Sequence, residues 1–355
     1  MRNQFLIMEN RILNFSAESR LSLLKNWLQG IAGDHQLDLA SLRPASSDAS
    51  FRRYFRLDTA TGTAIVMDAP PQQEDCRPFI HVTGLLAQAD LNVPTVLAQD
   101  LQLGFLLLTD LGEQTYYQAI KSGLDDTRLQ QLYRDAIAAL VRMQQASTQG
   151  LPDYDAERLS QELAVFPEWY AQRHCQVQLS NGEQSVLNDA FAILIHDNTR
   201  QPSVLVHRDF HSPNLMVGVA DRNPGVIDYQ DALVGPLSYD IASLVMDART
   251  TWEEQQQLDW AIRYWEAARA AQLPVPVDFA DFHRAYEWMG LQRNLRILGV
   301  FARLSYRDGK HHYLDHMPRV NTYVRQVAGR YSAFRPLIRL LDKLDGRQVT
   351  TGYTF

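Results

Sequence analysis

The feature that most constrains the fold is a change of sequence pattern near residue 112. Before it, short apolar runs alternate with turn residues; these runs are 51–57, 63–67, 95–99 and 105–108. After it, apolar residues recur mainly at helical spacing. Side chains repeat every two residues in a strand and every 3.6 in a helix. The sequence therefore predicts an α+β fold with a small β-rich part, 1–112, and a larger helical part, 113–355.

Helices are predicted in both parts. In the first part, one helix follows Ser16 and ends near Gly30, and another begins at Pro78 and ends near Asp90. In the second part the helical segments are 126–146, 155–174, 184–197, 239–248, 252–271, 279–304 and 320–343. Short strand-like pieces interrupt them at 204–206, 215–217 and 226–227. No long linker separates the two parts, so a short hinge and a cleft are expected.

Composition excludes several classes of function. The chain has 355 residues and a net charge of -7, which argues against broad nucleic-acid binding through a basic face. Its two cysteines indicate neither a disulfide framework nor a metal site. No run approaches the roughly 20 apolar residues of a membrane span. We therefore expect a cytoplasmic protein without a nucleic-acid or membrane partner, and the oligomeric state stays open.

The segment 205–228 carries the strongest chemical signal. It contains the tripeptide His207-Arg208-Asp209, then Asn214 five residues after Asp209, then Asp228. Transfer of a phosphoryl group to a hydroxyl needs a carboxylate base and oxygen ligands for Mg²⁺. This spacing matches the kinase catalytic loop, with Asp209 as base and Asn214 and Asp228 as metal ligands. A chance tripeptide would not explain all three positions.

Neighbouring polar residues are given mainly structural roles. We expect the imidazole of His207 to hold the loop through a hydrogen bond, and Arg208 to order the loop or carry surface charge. Asp231 is interpreted as a turn cap in preference to a metal ligand. Asp240, at the start of an apolar helix, is expected to brace the catalytic loop.

Segments 205–217 and 226–244 resemble the phosphotransferase family that includes aminoglycoside and choline kinases. The resemblance implies a protein-kinase-like fold of two lobes, a small β-rich lobe and a larger helical lobe. It also implies that ATP and Mg²⁺ are the cofactors.

A closer resemblance, to the bacterial kinases of N-acetylmuramate and N-acetylglucosamine, extends well outside the catalytic loop. It lies in the segments 46–56, 66–71, 104–112, 166–170 and 301–310. These kinases phosphorylate the anomeric hydroxyl of amino sugars during peptidoglycan recycling. The resemblance implies such a small-molecule acceptor for this chain.

The family resemblance also assigns residues to the nucleotide. Ser46, Ser47 and Ser50 occupy the place of the loop that covers the phosphates, where small side chains leave N–H groups free to approach phosphate oxygens. Thr109 to Leu111 occupies the hinge, so backbone groups of Asp110 and Leu111 are expected to meet adenine.

The chain departs from the kinase pattern on its third strand. The pattern expects a lysine there that grips the phosphates, whereas this strand carries Met67. Either the enzyme is weakened or another cation substitutes, and Arg52 and Arg53 are the nearest candidates. Alternation along the strand places Arg53 on the apolar face, where it needs an anionic partner. That partner is either a nucleotide phosphate or a structural carboxylate such as Glu74.

The acceptor is suggested by a local reversal of charge. Residues 293–330 contain eight Lys or Arg but only two acids. A pocket for polycationic aminoglycosides should be acidic, whereas this segment suits a sugar with a carboxylate. Arg303 and Arg307 lead the candidates for substrate contact, with Glu168 and His211 as weaker ones. A solvated helix face is the alternative.

Two other functions remain open. One is a kinase of a different small alcohol, such as an aminoglycoside, choline or homoserine. The other is a nucleotide-binding pseudokinase, which Met67 keeps possible and the set of Asp209, Asn214 and Asp228 argues against.

Overall fold

The computed structural model describes residues 17–46, 51–218 and 222–347. These residues form two compact units. The first contains the described residues up to Gly84 together with Val93–Gly112, and the second contains Leu85–Asn92 and the described residues from Glu113 onward. Our boundary at residue 112 would have placed Leu85–Asn92 in the first part. The assignment of these parts to nucleotide and acceptor stays a prediction.

The first unit is built on one antiparallel sheet of five strands, in the order β1-β2-β3-β5-β4. Its strands are β1 Leu37–Ser46, β2 Arg53–Thr59, β3 Gly62–Asp68, β4 Val96–Asp100 and β5 Phe105–Thr109. Residues Phe105 to Leu108 of β5 are all buried, as expected of an interior strand covered on both faces.

Helix α1, Ala17–His35, completes the core of this unit. Leu24 and Leu28 lie one turn apart on the same face of α1 and are fully buried. They pack with Leu57, Val66 and Leu107 of the sheet. Burial of these side chains stabilises the sheet by about 1.5–3 kcal/mol for each, so α1 belongs to the fold of the β-rich unit.

The second unit is mainly helical, and helix α2, Cys76–Gln88, crosses from one unit to the other. The other helices are α3 Tyr116–Lys121, α4 Asp126–Gln144, α5 Ala156–Leu163, α6 Asn181–Asn198, α7 Tyr239–Val245, α8 Glu254–Ala270, α9 Phe279–Tyr306, α10 Met317–Arg330 and α11 Arg335–Leu344. A π-helix, Phe166–His174, follows α5, and short 3₁₀ turns lie at Ser212–Asn214, His311–His316 and Ser332–Phe334.

Two small antiparallel ladders frame the catalytic segment. Strand β6, Ser203–Val206, pairs with β9, Leu233–Pro236, and β7, Leu215–Met216, pairs with β8, Gly225–Val226. The loop 207–214 therefore begins at one ladder and ends at the other. Residues 227–232 connect the same two ladders on the return path, which brings the two loops of the predicted motif side by side.

The predicted α+β fold is confirmed, and most element positions agree. The helix expected to end at Gly30 continues to His35, because one interior glycine costs a helix only about 1 kcal/mol. The segment 320–343 is wrong as a single helix, since α10 ends at Arg330 and α11 begins at Arg335. Pro336 explains the break, because it lacks the N–H that would bond to the carbonyl four residues earlier and its ring clashes with that carbonyl, so a continuous helix cannot pass through residues 332–336.

Other local differences are smaller. The segment 155–174 is an α-helix followed by a π-helix, and the sequence patterns gave no signal for β1 or α3. None of the described helices combines the length and the apolar composition that a membrane crossing requires.

Gly104 provides a test of the first unit's packing. Its φ is +70°, its carbonyl accepts a hydrogen bond from Ala69 N at 2.9 Å, and an added Cβ would overlap the carbonyl oxygen of Ala69. Gly104→Ala should therefore lower the free energy of unfolding by about 2–5 kcal/mol, the sum of left-handed strain and overlap. Gly123, with φ +88° and no atom near its Cβ position, is the matched control.

Gly123→Ala should lower the free energy of unfolding only by the left-handed strain, about 1–2 kcal/mol. Denaturant unfolding of the two variants measures the difference. Equal losses for both would contradict the close approach of Gly104 to Ala69.

Candidate active site

The three residues of the predicted motif lie together. Asn214 Nδ2 donates to the main-chain oxygen of Asp209 at 3.0 Å and to Oδ2 of Asp228 at 3.3 Å. The Asp209 side chain is 43% exposed, although the residues around it are mostly buried. A carboxylate with this exposure can meet a ligand while its loop is fixed by protein contacts.

The backbone of this site is strained at two positions. Arg208 has φ +78° and Asp228 has φ +66°. Non-glycine residues in this region cost about 1–3 kcal/mol each and persist only where the surroundings hold them. Both positions adjoin or belong to the motif, as expected of a site whose side chains are aimed by the backbone.

Asp240 is the residue that holds the first of these positions. Its fully buried carboxylate accepts hydrogen bonds from His207 N at 2.7 Å and from Arg208 N at 3.0 Å. The expected brace of the catalytic loop is thus confirmed. Burial raises the pKa of Asp240 to about 7, against the effect of the two N–H donors.

His207 has the structural role that its sequence position predicted. Its Nε2 lies 3.0 Å from the carbonyl oxygen of Ile227, and Asp209 N donates to its Nδ1 at 3.3 Å. This pattern suits a neutral ring that donates from Nε2 and accepts at Nδ1. Burial lowers the pKa of His207 to about 4. The imidazole therefore ties the loop 207–214 to the segment before Asp228.

Arg208 orders the loop through a half-buried carboxylate. Its Nη2 donates to Oε1 of Glu162 at 2.6 Å, and its guanidinium lies 5.8 Å from the ring centroid of Tyr154. Arg296 Nε lies 3.3 Å from the other oxygen of Glu162. One carboxylate on α5 thus joins the catalytic loop to α9.

Positive charge surrounds the Asp209 carboxylate. Arg293 Nη2 lies 3.5 Å from Oδ1 of Asp209. Burial alone would raise the pKa of Asp209, but the charges of His211, Arg296 and Arg293 outweigh it and hold the pKa well below its usual range. The carboxylate is therefore ionised at neutral pH, which is the state a proton acceptor requires.

His211 is a largely buried member of the loop 207–214. Its Nδ1 is 3.1 Å from Nη1 of Arg249 and 3.7 Å from Asp247, while its Nε2 is 3.3 Å from Asn214 Nδ2. Asp247 also accepts from Ser212 N at 3.2 Å. These contacts give His211 a part in ordering the loop, and its predicted contact with substrate stays a prediction.

Asn214 and Asp228 have the donor atoms that Mg²⁺ prefers. Asn214 uses its side-chain nitrogen for the contacts within the loop, so its oxygen is the atom to offer a cation. Gln230 Nε2 donates to Oδ1 of Asp228 at 3.0 Å and orients that carboxylate. The described residues contain no group of three or more His, Cys, Asp or Glu side chains suited to a metal. Mg²⁺ commonly takes only one or two protein ligands, so the pair fits it.

Arg53 has a structural carboxylate as its partner in the first unit. It is Asp68 and not Glu74: Arg53 Nε donates to Oδ2 of Asp68 at 3.0 Å, and Arg20 Nε donates to Oδ1 at 2.6 Å. Arg52 is half-buried. Contact of Arg52 or Arg53 with phosphate stays a prediction.

The remaining nucleotide candidates have different surroundings. Asp110 Oδ2 accepts from Arg56 Nε at 2.5 Å and from Thr63 Oγ1 at 2.7 Å, so its side chain is engaged within the first unit. Leu111 is half-buried, and Ser46 ends β1. Ser47 and Ser50 lie outside the described residues.

The acceptor candidates differ from one another. Arg307 is exposed and pairs with Asp308 at 2.6 Å, whereas Arg303 is half-buried and its Nε has no hydrogen bond. Glu168 lies on the π-helix.

Glu162 was not predicted as a site residue, because it lies far from the motif and has no local sequence signal. Arg293 and Arg296 belong to the basic segment 293–330 but were not predicted individually. Their three-residue spacing in an apolar helix was the available signal.

Comparison with known proteins agrees with this geometry. A sequence model of the phosphotransferase enzyme family matches residues 41–288. The chain belongs to this family. A relative of this phosphotransferase in Neisseria meningitidis serogroup B is 44% identical over 335 residues, covering 94% of this chain and 98% of the relative. A relative in Pseudomonas aeruginosa is 43% identical over 337 residues, covering 93% of this chain and 98% of the relative. Both are named N-acetylmuramate/N-acetylglucosamine kinase.

Solved structures support the fold of this phosphotransferase. A choline kinase from Streptococcus pneumoniae has a TM-score of 0.55 at 14% identity, covering 86% of this chain and 99% of that one. An ethanolamine kinase from Plasmodium vivax has a TM-score of 0.59 at 11% identity, covering 95% of this chain and 98% of that kinase. The predicted protein-kinase-like fold is confirmed, and at this identity the likeness concerns the fold alone.

The low pKa of His207 makes the stability of this phosphotransferase depend on pH. The folded state binds the proton only near pH 4, whereas an unfolded histidine binds it near pH 6.5. Between these values the unfolded state holds more protons, so the contribution to stability is present above pH 6.5 and is lost as the pH falls toward 4. Between pH 7 and pH 5 the loss should be about 2 kcal/mol.

Denaturant unfolding at pH 7 and pH 5 tests this expectation. Asp240 titrates in the same pH range, and its effect on stability has the opposite sign. The pH dependence of stability in wild type is therefore compared with that in His207→Asn, which should lack the contribution of the histidine. His196→Asn, at an exposed position, should behave as wild type. The same pH dependence in wild type and His207→Asn would mean that the ring is already charged in the folded protein.

Proposed function

We propose that this phosphotransferase is a sugar kinase that transfers the γ-phosphate of ATP to the anomeric hydroxyl of N-acetylmuramate and N-acetylglucosamine. Asp209 acts as the base, and Asn214 and Asp228 hold Mg²⁺. The names of relatives at 43–44% identity, aligned over more than nine-tenths of the chain, support the acceptor. The family supports the reaction type.

The observation that carries the catalytic part is that Asn214 contacts both Asp209 and Asp228, across the two neighbouring loops. The main chain of Asp209 and the carboxylate of Asp228 are both within hydrogen-bonding distance of Asn214. A base and two oxygen donors are thus fixed relative to one another before a ligand arrives. Phosphoryl transfer depends mainly on such positioning.

In the proposed reaction the acceptor hydroxyl gives its proton to a carboxylate oxygen of Asp209. The hydroxyl oxygen forms a bond to the γ-phosphorus while the bond from that phosphorus to the bridging oxygen of ADP breaks. The ionised state of Asp209 favours the first event. Arg293, 3.5 Å from Oδ1, limits rotation of the carboxylate and leaves its exposed part for the hydroxyl.

Asn214 would hold the cation through its side-chain oxygen and Asp228 through its carboxylate. When bound, Mg²⁺ neutralises charge on the phosphates and orients them for in-line transfer. The left-handed backbone at Asp228 and the hydrogen bond from Gln230 aim its carboxylate.

We also propose nucleotide contacts in the first unit. The backbone around Ser46, Ser47 and Ser50 would cover the phosphates, and backbone groups of Asp110 and Leu111 would meet adenine. Arg52 or Arg53 would supply the cation that Met67 does not. Arg53 shares Asp68 with Arg20, so two guanidinium groups adjoin one carboxylate there, and this surplus of positive charge favours an anion.

Replacement of the base gives the sharpest test. Asp209→Asn keeps the shape of the side chain and removes its ability to accept a proton, so kcat should fall by about 10²–10⁴-fold. Asp231→Asn is the matched control, because Asp231 is an exposed aspartate close to the site. The control should keep most of the activity.

The measurement is release of ADP over a panel of acceptors: the two amino sugars, an aminoglycoside, choline and homoserine. Turnover with the amino sugars and little with the others supports the proposal. Turnover with another alcohol alone would identify a different kinase, and no turnover with any acceptor would favour a nucleotide-binding protein without kinase activity.

Titration of Mg²⁺ tests the proposed ligands. Asp228→Asn removes the charged ligand and should raise the Mg²⁺ concentration for half-maximal activity by about tenfold or more, since a charged contact is worth about 1.5–3 kcal/mol. Asp231→Asn again serves as the control. An unchanged Mg²⁺ requirement in Asp228→Asn would exclude it as a ligand.

A further inference from the structure

Three arginines lie along one face of helix α9. Arg293, Arg296 and Arg303 are separated by three and seven residues, which places them on the same side of a helix. The rise of 1.5 Å per residue separates Arg293 from Arg303 by about 15 Å and Arg296 from Arg303 by about 10.5 Å along the axis. Helical side chains lean toward the N-terminus, so the three side chains lean in the same direction and keep this spacing.

The first two arginines have carboxylate partners, and the third does not. Arg293 pairs with Asp209 and Arg296 pairs with Glu162. Arg303 makes no ion pair with any described residue, and its buried Nε has no hydrogen bond. A buried donor without a partner costs about 1–3 kcal/mol, and such a group calls for an explanation, for which a ligand is one.

The π-helix Phe166–His174 and the residue before it face this part of α9. At Gly299, one turn before Arg303, an added Cβ would lie 2.6 Å from Val165 Cγ2, so the two elements are in close contact. Burial lowers the pKa of Arg303, as do the charges of Arg307 and Arg296, while Asp308 and Glu168 act in the opposite sense. Glu168 forms no ion pair with Arg303.

Arg307 lies one further turn along α9 and is different in each respect. Its side chain is 55% exposed, and its guanidinium is paired with Asp308. Of the two arginines that the sequence favoured for the acceptor, the structure leaves Arg303 as the one with an unused, partly buried guanidinium.

We propose that Arg303 binds the carboxylate of N-acetylmuramate and sets the preference between the two amino sugars. This inference rests on the proposed function. Of the two acceptors, only N-acetylmuramate has a carboxylate, on its lactyl group. An arginine can hold such a group with two parallel hydrogen bonds. N-acetylglucosamine offers the guanidinium no carboxylate, so Arg303 should contribute little to the turnover of that sugar.

The test compares kcat/KM for both sugars in wild type, Arg303→Gln, Arg303→Lys and Arg307→Gln. In Arg303→Gln, kcat/KM for N-acetylmuramate should fall by about tenfold or more, equivalent to about 1.4 kcal/mol. For N-acetylglucosamine, kcat/KM should fall by less than about twofold. Arg303→Lys keeps the charge and should recover part of the loss. Arg307→Gln should match wild type with both sugars.

A modified substrate separates the contact from an effect on folding. N-acetylmuramate whose carboxylate is converted to a carboxamide should be a poorer acceptor than N-acetylmuramate for wild type. For Arg303→Gln the two should be equivalent, because the two changes remove one interaction and their effects do not add. Because the two substrates are compared within the same variant, a general loss of activity affects both equally and does not change their ratio.

The outcomes distinguish this inference from the proposed function. If wild type phosphorylates neither sugar, the proposed function fails and the inference fails with it. If wild type phosphorylates both and Arg303→Gln loses equally with each, or loses with neither, the proposed function stands and the role of Arg303 is overturned. Additive effects of Arg303→Gln and the carboxamide would likewise overturn it.

Discussion

The catalytic loop depends on one buried carboxylate. The carboxylate of Asp240 accepts hydrogen bonds from the N–H groups of His207 and Arg208. Without these bonds, each donor would lack a partner inside the protein, which costs about 1–3 kcal/mol of stability. These bonds hold Arg208 in a left-handed conformation, which reverses the chain just before Asp209. The direction of the Asp209 carboxylate, and hence any chemistry it performs, follows from this reversal.

Electrostatic balance around the base explains why so many arginines lie there. Glu162 forms ion pairs with Arg208 and Arg296. These two cations are therefore held in place without an ion pair to Asp209 itself. Arg293 is the one that reaches Asp209. The resulting excess of positive charge keeps Asp209 ionised, and the same field would favour the phosphates and the anionic acceptor that we propose. Helix α9 therefore connects Asp209 to the region of Arg303.

The fold was largely accessible from the sequence because its elements have clear periods. Strand β5 is a continuous apolar run, and most helices from α4 to α9 have a regular apolar face. The exceptions have local causes: Pro336 divides the segment taken as one helix, and β1 lacks regular alternation. The motif residues were equally accessible, since 207–214 and 226–228 are close in sequence and two short ladders bring their ends together.

The sequence by itself was enough to predict the chemistry that we propose, because Asp209, Asn214 and Asp228 lie within one short stretch of chain. Tertiary structure decided which charges are paired. Arg53 meets Asp68, Arg208 meets Glu162 across 46 positions, and Arg307 has a partner that Arg303 lacks. Local patterns fix which atoms a segment offers. Pairing between distant side chains depends on how helices and strands pack, and packing is a property of the whole chain.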